Sequence, residues 1–163
     1  MKEFPKYISK DEALSKLQTY CAYQDRCHSE VRTKLLSYKI YGDDLEEIIT
    51  ELIKEKFLNE ERFARSYARG KFRIKKWGKN KITQELKRKR VSEYCIKKGL
   101  SEIDHDEYLE TAFKLIQKYY LSLNGIVPIK KQKTFAHAYR KGYESFIITD
   151  VLNQIIKGSN YNR

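Results

Sequence analysis

The chain has 163 residues, a formal net charge of +12, 34% charged residues and 40% hydrophobic residues. Only two prolines and seven glycines accompany abundant Lys, Glu, Leu, Ile and Tyr, which favours an all-helical protein over a sheet protein or a disordered chain. A sequence pI near 9.5 indicates an anionic partner, either nucleic acid or an acidic protein surface.

The sequence predicts neither a secretory leader nor a membrane span. The N-terminal segment MKEFPKYISK has no apolar core, and no apolar run approaches the ~18 residues that a spanning helix needs. Cys21, Cys27 and Cys95 are odd in number and have no CxxC spacing, so we expect reduced thiols in a cytoplasmic protein. The pair Cys27-His28 has no second ligand pair to complete a site, so no metal is predicted.

Three helices are predicted in the first part of the chain. The first begins after Ser9, which opens a capping box with Glu12. Ser29 is predicted to cap a short second helix, and Asp44 is predicted to cap a third helix. Gly42 lies in the turn before the third helix, where a positive φ would favour glycine. Apolar residues follow at helical spacing, namely Ala13, Leu14, Leu17, Tyr20 and Cys21, and then Leu45, Ile48, Ile49, Leu52 and Ile53.

This three-helix pattern recurs twice. The predicted caps of the first helices are Ser9, Asn59 and Asp104, and those of the third helices are Asp44, Ser92 and Glu144. Both series repeat at about 50 residues, which indicates units that pack on their neighbours rather than around one large core. The sequence therefore predicts an all-α protein of three tandem three-helix repeats in an elongated, curved, right-handed or solenoid-like array. The predicted repeats are residues 1–57 with a short N-terminal arm, 58–103 and 104–163.

The central repeat carries almost all of the net charge. From Arg65 to Arg90 there are twelve Lys or Arg residues and one acid, Glu85, which sum to +11 of the total of +12. A charge this local indicates a surface that meets an anion. Lys87 and Arg88 also fall at the C-terminal end of a predicted helix, where cations complement the helix dipole, and this gives them a structural explanation as well.

Four arginines of the helix predicted after Asn59 share one face, and we call them the arginine stripe: Arg62, Arg65, Arg69 and Arg73. At 100° per residue they lie away from Phe63, Tyr67 and Ile74, which are predicted to face the core. Apart from Glu61 and the cap region, no acid lies four residues away to neutralise them. We therefore expect an uncompensated stripe that binds an anion, and the alternative is a stripe that only makes the helix soluble.

The residues after the stripe are predicted to close the repeat. Trp77 is expected to fill the core between the first two helices, with stacking on a nucleobase as the alternative. Gly78 is expected to permit a turn that a Cβ would obstruct. Ile82 and Leu86 of the next helix point inward, whereas Phe72 points away from the predicted apolar face and is expected to be exposed.

No catalytic arrangement is visible in the sequence. His28, His105 and His137 fall in different repeats, and none lies beside a plausible nucleophile. The chain also has no glycine-rich phosphate loop, no HExxH motif and no GxSxG motif. We therefore predict a protein that is not an enzyme and that needs no cofactor.

One motif in the central repeat carries a family resemblance. It consists of FLNEERFARSY at residues 57–67, then Trp77-Gly78, Ile82-x-x-Glu85-Leu86 and Val91-Ser92. This motif resembles the central repeat of the RecX family, bacterial regulators of the RecA recombinase, and the resemblance extends over essentially the whole chain. Arg90 departs from the glycine that the family often has there, and the turn around Gly42 looks longer. The structural residues of the motif are Phe63, Ala64, Tyr67, Trp77, Gly78, Ile82 and Leu86.

The resemblance implies a regulator, most often an inhibitor, that binds in the groove of the RecA–single-stranded DNA filament and modulates recombination, DNA repair and the SOS response. The implied partners are the RecA filament and single-stranded DNA, with weak duplex binding left open, and the protein is expected to be a monomer. The residues predicted to bind the filament or DNA are Arg62, Arg65, Arg69, Lys71, Arg73, Lys75, Lys76, Lys79, Lys81, Lys87 and Arg88.

Two other functions stay open at this point. One is a stand-alone DNA-binding protein whose tandem helical units act without recombinase. The other is a helical scaffold for an acidic protein. The sequence also leaves open whether the basic residues meet DNA phosphates or an acidic recombinase surface.

Overall fold

A computed structural model describes residues 7–161, and this part of the chain contains nine helices and no strand. The helices are α1 (Lys10–Tyr23), α2 (His28–Ser37), α3 (Gly42–Lys54), α4 (Glu60–Lys75), α5 (Lys79–Arg88), α6 (Glu93–Leu100), α7 (His105–Ser122), α8 (Val127–Arg140) and α9 (Ser145–Tyr161). The all-α prediction is confirmed. The predicted N-terminal arm falls mainly on residues 1–6, outside the described residues. Within the described chain, none of the helices has the length and apolar character needed to cross a membrane.

The helices pack in three consecutive groups of three. The extensive helix–helix contacts lie within α1 to α3, within α4 to α6 and within α7 to α9. We call these groups the first, central and third units, and they are the three tandem three-helix repeats predicted from the caps. The predicted boundaries at 57/58 and 103/104 fall in the linkers between the groups, and we propose them as the limits of the units.

The buried side chains of residues 7–161 form two hydrophobic cores rather than three. One core lies within the first unit and includes Leu17, Leu35 and Leu52. The other runs without interruption from the central unit into the third unit. Aromatic side chains bridge these two units, since the Phe72 ring lies 5.8 Å from Tyr108. The expectation that no large core would form therefore holds for the first unit and is wrong for the other two.

The exposed surface is large for a chain of this mass. Its accessible area is 11048 Å² for 19.5 kDa, roughly 30% above the ~8,500 Å² expected of a compact monomer of that mass. A serial array of small units exposes more surface than a single globule because each unit covers only part of its neighbour. The area therefore agrees with the predicted elongation, whereas the curvature and handedness stay predictions.

Of the seven predicted N-caps, four are confirmed and two are wrong, and the seventh, Glu144, directly precedes α9. The side chains of Ser9, Asn59, Ser92 and Asp104 each accept a hydrogen bond from a main-chain N–H three residues on. Ser29 instead lies inside the first turn of α2, which has Cys27 as its N-cap. Asp44 lies inside the first turn of α3, which has Tyr41 as its N-cap. Acids also favour the first helical turn because of the helix dipole, so the same residue type fits either position.

Arg90, one of the two departures from the resemblance noted in the sequence, has a glycine-like backbone. Arg90 has a φ of +60°, in the left-handed region. Its N–H donates to the carbonyl oxygen of Lys87, a residue in the last turn of α5. Gly42, with a φ of +57°, has the positive φ predicted from the sequence. The arginine therefore leaves the turn between α5 and α6 as the glycine would make it, at some conformational cost.

Candidate functional site

The basic face is built on α4, which packs on two partners at once. Along most of its length α4 lies against α6, so closely that a Cβ on Gly99 would be 2.6 Å from the carbonyl oxygen of Ala64. At its C-terminal end, Phe72 reaches the third unit and is only 2% exposed. Ile74 lies on the opposite side and is 77% exposed. The predictions for Phe72 and Ile74 are therefore wrong, because the helical wheel assumed a single buried face.

The structural residues of the central motif lie in or against the core. Phe63, Ala64, Ile82 and Leu86 are buried, and Tyr67 and Trp77 are half-buried side chains packed on the same core. Trp77 also has ammonium groups over its ring, with the Nζ of Lys81 at 4.5 Å and the Nζ of Lys71 at 5.0 Å from the ring centre. Its ring therefore both fills the core and holds two cations at the surface.

The arginine stripe is not uncompensated. The Nε of Arg62 lies 2.7 Å from Asp25 of the first unit. Arg65 pairs with Glu61 at 2.9 Å and with Glu102 at 2.8 Å, and Arg69 lies 3.3 Å from the same Glu102. The hydrogen bond from Arg65, together with Arg69, lowers the pKa of Glu102 below its ordinary value, so this carboxylate stays charged.

Two of these partners were not predicted because they do not lie within one helical turn of the arginines in the sequence. Asp25 and Glu102 each lie 37 residues from the arginine they meet. Only the packing of the linkers brings them to α4. Three arginines of the stripe therefore join elements of the fold, and only Arg73 lacks a carboxylate partner among the described residues.

The other predicted binding residues fall into two groups. Arg88 pairs with Glu85 at 2.8 Å within α5. No carboxylate within 4.0 Å is found in the described chain for the rest, which we call the open cations: Lys71, Arg73, Lys75, Lys76, Lys79, Lys81 and Lys87. Arg73, Lys75, Lys76 and Lys87 among them are exposed. Among the predicted binding residues, the positive charge available to a partner therefore lies at the end of α4 and along α5.

Main-chain hydrogen bonds fix this end of α4 against the third unit. The N–H of Gly78 donates to the carbonyl of Lys141 at 2.8 Å, and the N–H of Asn80 donates to the carbonyl of Gly142 at 2.9 Å. A Cβ on Gly78 would lie 2.3 Å from the main chain of Gly142. Since the φ of Gly78 is an ordinary −75°, this glycine is required by the close approach between units and not by its turn.

Two buried tyrosines complete the contact. The hydroxyl of Tyr143 donates to the carbonyl of Lys76 at 2.7 Å, and the hydroxyl of Tyr108 donates to Glu144 at 2.7 Å. Burial raises the pKa of both phenols far above the ordinary value of 10.0, so both stay protonated. This network was not predicted, because its members lie far apart in the chain. The only local sign of the network in the sequence was the run Gly142-Tyr143-Glu144.

Potential metal ligands do not cluster in the described part of the chain. Residues 7–161 contain no group of three or more His, Cys, Asp or Glu side chains placed to hold a metal ion. Cys21, Cys27 and Cys95 are buried free thiols, and burial raises the pKa of Cys21 and of Cys27 above its ordinary value. The open cations are the groups of this surface that can bind an anion.

Comparison with known proteins gives consistent matches. The family model for the second three-helix domain of RecX matches residues 59–100, and that for the third matches residues 106–152. The regulatory protein RecX of Clostridium perfringens (strain 13 / Type A) is 34% identical over 135 residues, covering 81% of this chain and 61% of that protein. The regulatory protein RecX of Enterococcus faecalis is 30% identical over 160 residues, covering 95% and 59%. The chain thus spans about three fifths of the length of these two relatives.

Solved structures share the fold. The crystal structure of RecX from Lactobacillus salivarius superposes with a TM-score of 0.79 at 24% identity, over 90% of this chain and 96% of that one. A second crystal structure, of a regulatory protein RecX, gives a TM-score of 0.81 at 24% identity, over 88% of this chain and 73% of that one. These likenesses support the tandem three-helix architecture.

Proposed function

Because the chain belongs to the RecX family of regulatory proteins, we propose that it regulates the RecA recombinase by binding in the groove of the RecA–single-stranded DNA filament. We expect inhibition, with no catalytic activity of its own. In this proposal the partners are the RecA filament and its single-stranded DNA, and the protein acts as a monomer in the cytoplasm.

The observation that carries the proposal is the set of open cations at the end of α4 and along α5. Arg73, Lys75 and Lys76 are exposed and lack carboxylate partners among the described residues. They lie at the centre of an extended chain of units, where they can meet an extended anionic partner. Since Arg and Lys both bind phosphate and carboxylate, either the DNA strand or an acidic recombinase surface satisfies them.

The paired arginines have a different role in this proposal. Arg62, Arg65 and Arg69 already donate to Asp25, Glu61 and Glu102, so their guanidinium groups are partly satisfied within the protein. A new anion would have to compete with these carboxylates. We therefore place the main contact on the open cations and assign the three arginines to holding the first unit and the α6–α7 linker against α4.

The test is the ATPase activity of RecA on single-stranded DNA, with and without this protein. We expect the wild-type chain to inhibit and the triple variant Arg73→Glu, Lys75→Glu, Lys76→Glu to lose inhibition while its circular dichroism stays helical. A matched control, Lys16→Glu, Lys54→Glu, Lys97→Glu, makes the same change in charge at exposed helix positions elsewhere. Undiminished inhibition by the first variant would exclude the contact assigned to the open cations.

DNA-binding measurements beside the ATPase assay separate the alternative functions. A stand-alone DNA-binding protein would bind duplex DNA tightly without recombinase and with a sequence preference. A scaffold for an acidic protein would be indifferent to DNA. A change in the ATPase rate of RecA on single-stranded DNA, without tight and sequence-selective binding to duplex DNA, is the outcome that the proposed function requires.

A further inference from the structure

A basic cleft lies between the central and third units, beside the open cations. Its volume is about 590 Å³, and five lysines line it. Lys75 and Lys76 come from the end of α4, Lys114 and Lys118 from α7, and Lys141 from the end of α8. No carboxylate belongs to the lining formed by the described residues. The three lysines of the third unit lie outside the residues predicted to bind an anion.

The internal needs of the fold explain only some of these lysines. Lys75 and Lys141 stand at helix C-termini, where cations complement the helix dipole. Lys114 and Lys118 lie within α7, four residues apart, where like charges repel each other across one turn. Lys114 has one carboxylate neighbour, Glu110, at 2.8 Å, and both side chains are well exposed. The concentration of charge therefore favours an anion in the cleft.

The walls of the cleft are held in place before any ligand arrives. Across the junction, the N–H of Gly78 bonds to the carbonyl of Lys141, and the hydroxyl of Tyr143 bonds to the carbonyl of Lys76. The main chains that carry Lys76 and Lys141 are therefore fixed relative to each other. A ligand that bridges them loses less affinity to the ordering of the protein than it would on a flexible surface.

An aromatic pair lies on the same wall. The rings of Tyr119 and His137 stack with centroids 3.9 Å apart and an interplanar angle of 3°. Both side chains are half-buried and line the cleft. Burial, followed by the charges of Lys141 and Arg140, lowers the pKa of His137, so the ring is neutral at pH 7. Lysines beside a flat aromatic surface are the combination that binds phosphates and a base together.

We propose that this cleft binds single-stranded nucleic acid, with backbone phosphates on Lys118 and Lys141 and one base beside the Tyr119–His137 pair. An acidic peptide would use the lysines but would have no need of the aromatic pair, so the nucleic acid fits more of the site. The proposal rests on the proposed function only for its role in the filament. Strand binding itself requires no recombinase.

The experiment measures binding of a fluorescent oligothymidylate to the full chain without recombinase, over a series of salt concentrations. For the double variant Lys118→Ala, Lys141→Ala we expect roughly tenfold weaker binding at low salt and a slope of log affinity against log salt that is shallower by roughly 1.4, about 0.7 for each lost phosphate contact. The control Lys131→Ala, Lys133→Ala removes the same charge from exposed positions of α8 outside the cleft. Equal changes in the two variants would overturn the proposal.

A second pair of measurements tests the base. Tyr119→Ala should weaken binding of the oligothymidylate by about tenfold with little change in salt slope, because stacking is not an ionic contact. An abasic strand of the same length should bind the wild type and Tyr119→Ala alike. Equal loss with both strands would mean that the substitution only disturbs α7, and it would remove the base from the proposal.

Competition identifies the source of the phosphate. At constant ionic strength, unlabelled oligothymidylate should displace the probe well before inorganic pyrophosphate, ATP or polyglutamate does. Displacement by ATP at equal phosphate concentration would assign the cleft to free nucleotides and overturn the proposal, and equal displacement by polyglutamate would assign it to an acidic protein. Loss of strand binding in Lys118→Ala, Lys141→Ala with unchanged RecA inhibition would leave the cleft standing and show that regulation does not depend on it.

Discussion

Side chains hold the first unit to the central unit, whereas main-chain contacts and a shared core hold the central unit to the third. At the first junction Arg62 meets Asp25 at 2.7 Å and Lys89 meets Glu30 at 3.0 Å. The hydroxyl of Ser29 donates to the carbonyl of Lys89 at 2.6 Å. Among the described residues of the first unit, Cys27 alone joins the core of the other two.

The second junction leaves little room for adjustment. Two main-chain hydrogen bonds cross it, Gly78 and Gly142 touch through their backbones, and the centroids of the Phe72 and Tyr108 rings lie 5.8 Å apart. The two junctions between the three units are therefore not equivalent. Partly exposed ion pairs are screened by salt and tolerate small movements, whereas a packed core does not. We therefore expect the first unit to reorient relative to a rigid pair formed by the other two.

The largest effect is expected at the glycine contact. In Gly78→Ala the new Cβ would lie 2.3 Å from the main chain of Gly142, and we expect the free energy of unfolding to fall by about 3 kcal/mol. Gly70→Ala is the control, because Gly70 lies inside α4 and a Cβ there would meet no other part of the protein within 4 Å. That substitution should stabilise the protein by ~0.5 to 1 kcal/mol. Denaturant unfolding measures both, and equal effects would contradict the close contact.

A smaller loss is expected from a single hydroxyl at the same junction. Tyr143→Phe removes the buried hydrogen bond to the carbonyl of Lys76 and leaves that oxygen without its partner. We expect the free energy of unfolding to fall by about 1 to 2 kcal/mol. Tyr139→Phe is the control because Tyr139 is 57% exposed, so its effect should be close to zero. A neutral result for Tyr143→Phe would mean that the ring alone holds the junction.

At the first junction the expected effect is smaller and depends on salt. Glu30→Gln removes the ion pair with Lys89. The side chain of Glu30 is 23% exposed and that of Lys89 is 30% exposed. We expect a loss of about 1 kcal/mol at low salt that shrinks as salt is added, because screening weakens the wild-type pair. The Tyr143→Phe loss should be nearly independent of salt. Thermal unfolding at several salt concentrations compares the two, and a salt-independent loss in Glu30→Gln would remove the contrast between the junctions.

The smallest effect concerns an ion pair that lies within one unit and crosses neither junction. Arg65 lowers the pKa of Glu102, so the folded state favours the charged carboxylate more than the unfolded state does. Its stabilisation is therefore present above the ordinary pKa of 4.5 and is lost as the pH falls through the lowered value. In Glu102→Gln this part of the acid dependence should vanish, while the contacts at Gly78 stay unchanged. A carboxyl titration followed by NMR checks the direction of the pKa.

Local signals in the sequence predicted the architecture well. A cap such as Asn59 bonds to an N–H three residues away, so the interaction is complete within the predicted helix. The period near 50 residues predicted the three units, because it is the spacing between such local caps. Arg90 also shows that a residue other than glycine can hold the positive φ of a turn between two helices.

Interactions between units were predicted poorly, because their partners are distant in the chain. The assignment of Ser29 as a cap failed, since its hydroxyl bonds to Lys89 of another unit. Phe72 looked exposed because the third unit that covers it was not part of the helical wheel. The arginine stripe looked uncompensated because Glu102 approaches only after the linker folds back. The open cations at the end of α4 were predicted from the local run of Lys and Arg in the sequence. Lys114 and Lys118 of α7 were not predicted as binding residues.

The continuous core of the central and third units also bears on how the chain folds during synthesis. The first unit has its own core and can become ordered once it leaves the ribosome. The central unit must wait, because Phe72 packs on Tyr108 and the carbonyl of Lys76 accepts from Tyr143, and both tyrosines are translated later. During that interval a basic, half-finished helical unit is exposed. We expect hydrogen exchange in the complete protein to show two cooperative blocks, one for the first unit and one for the other two together.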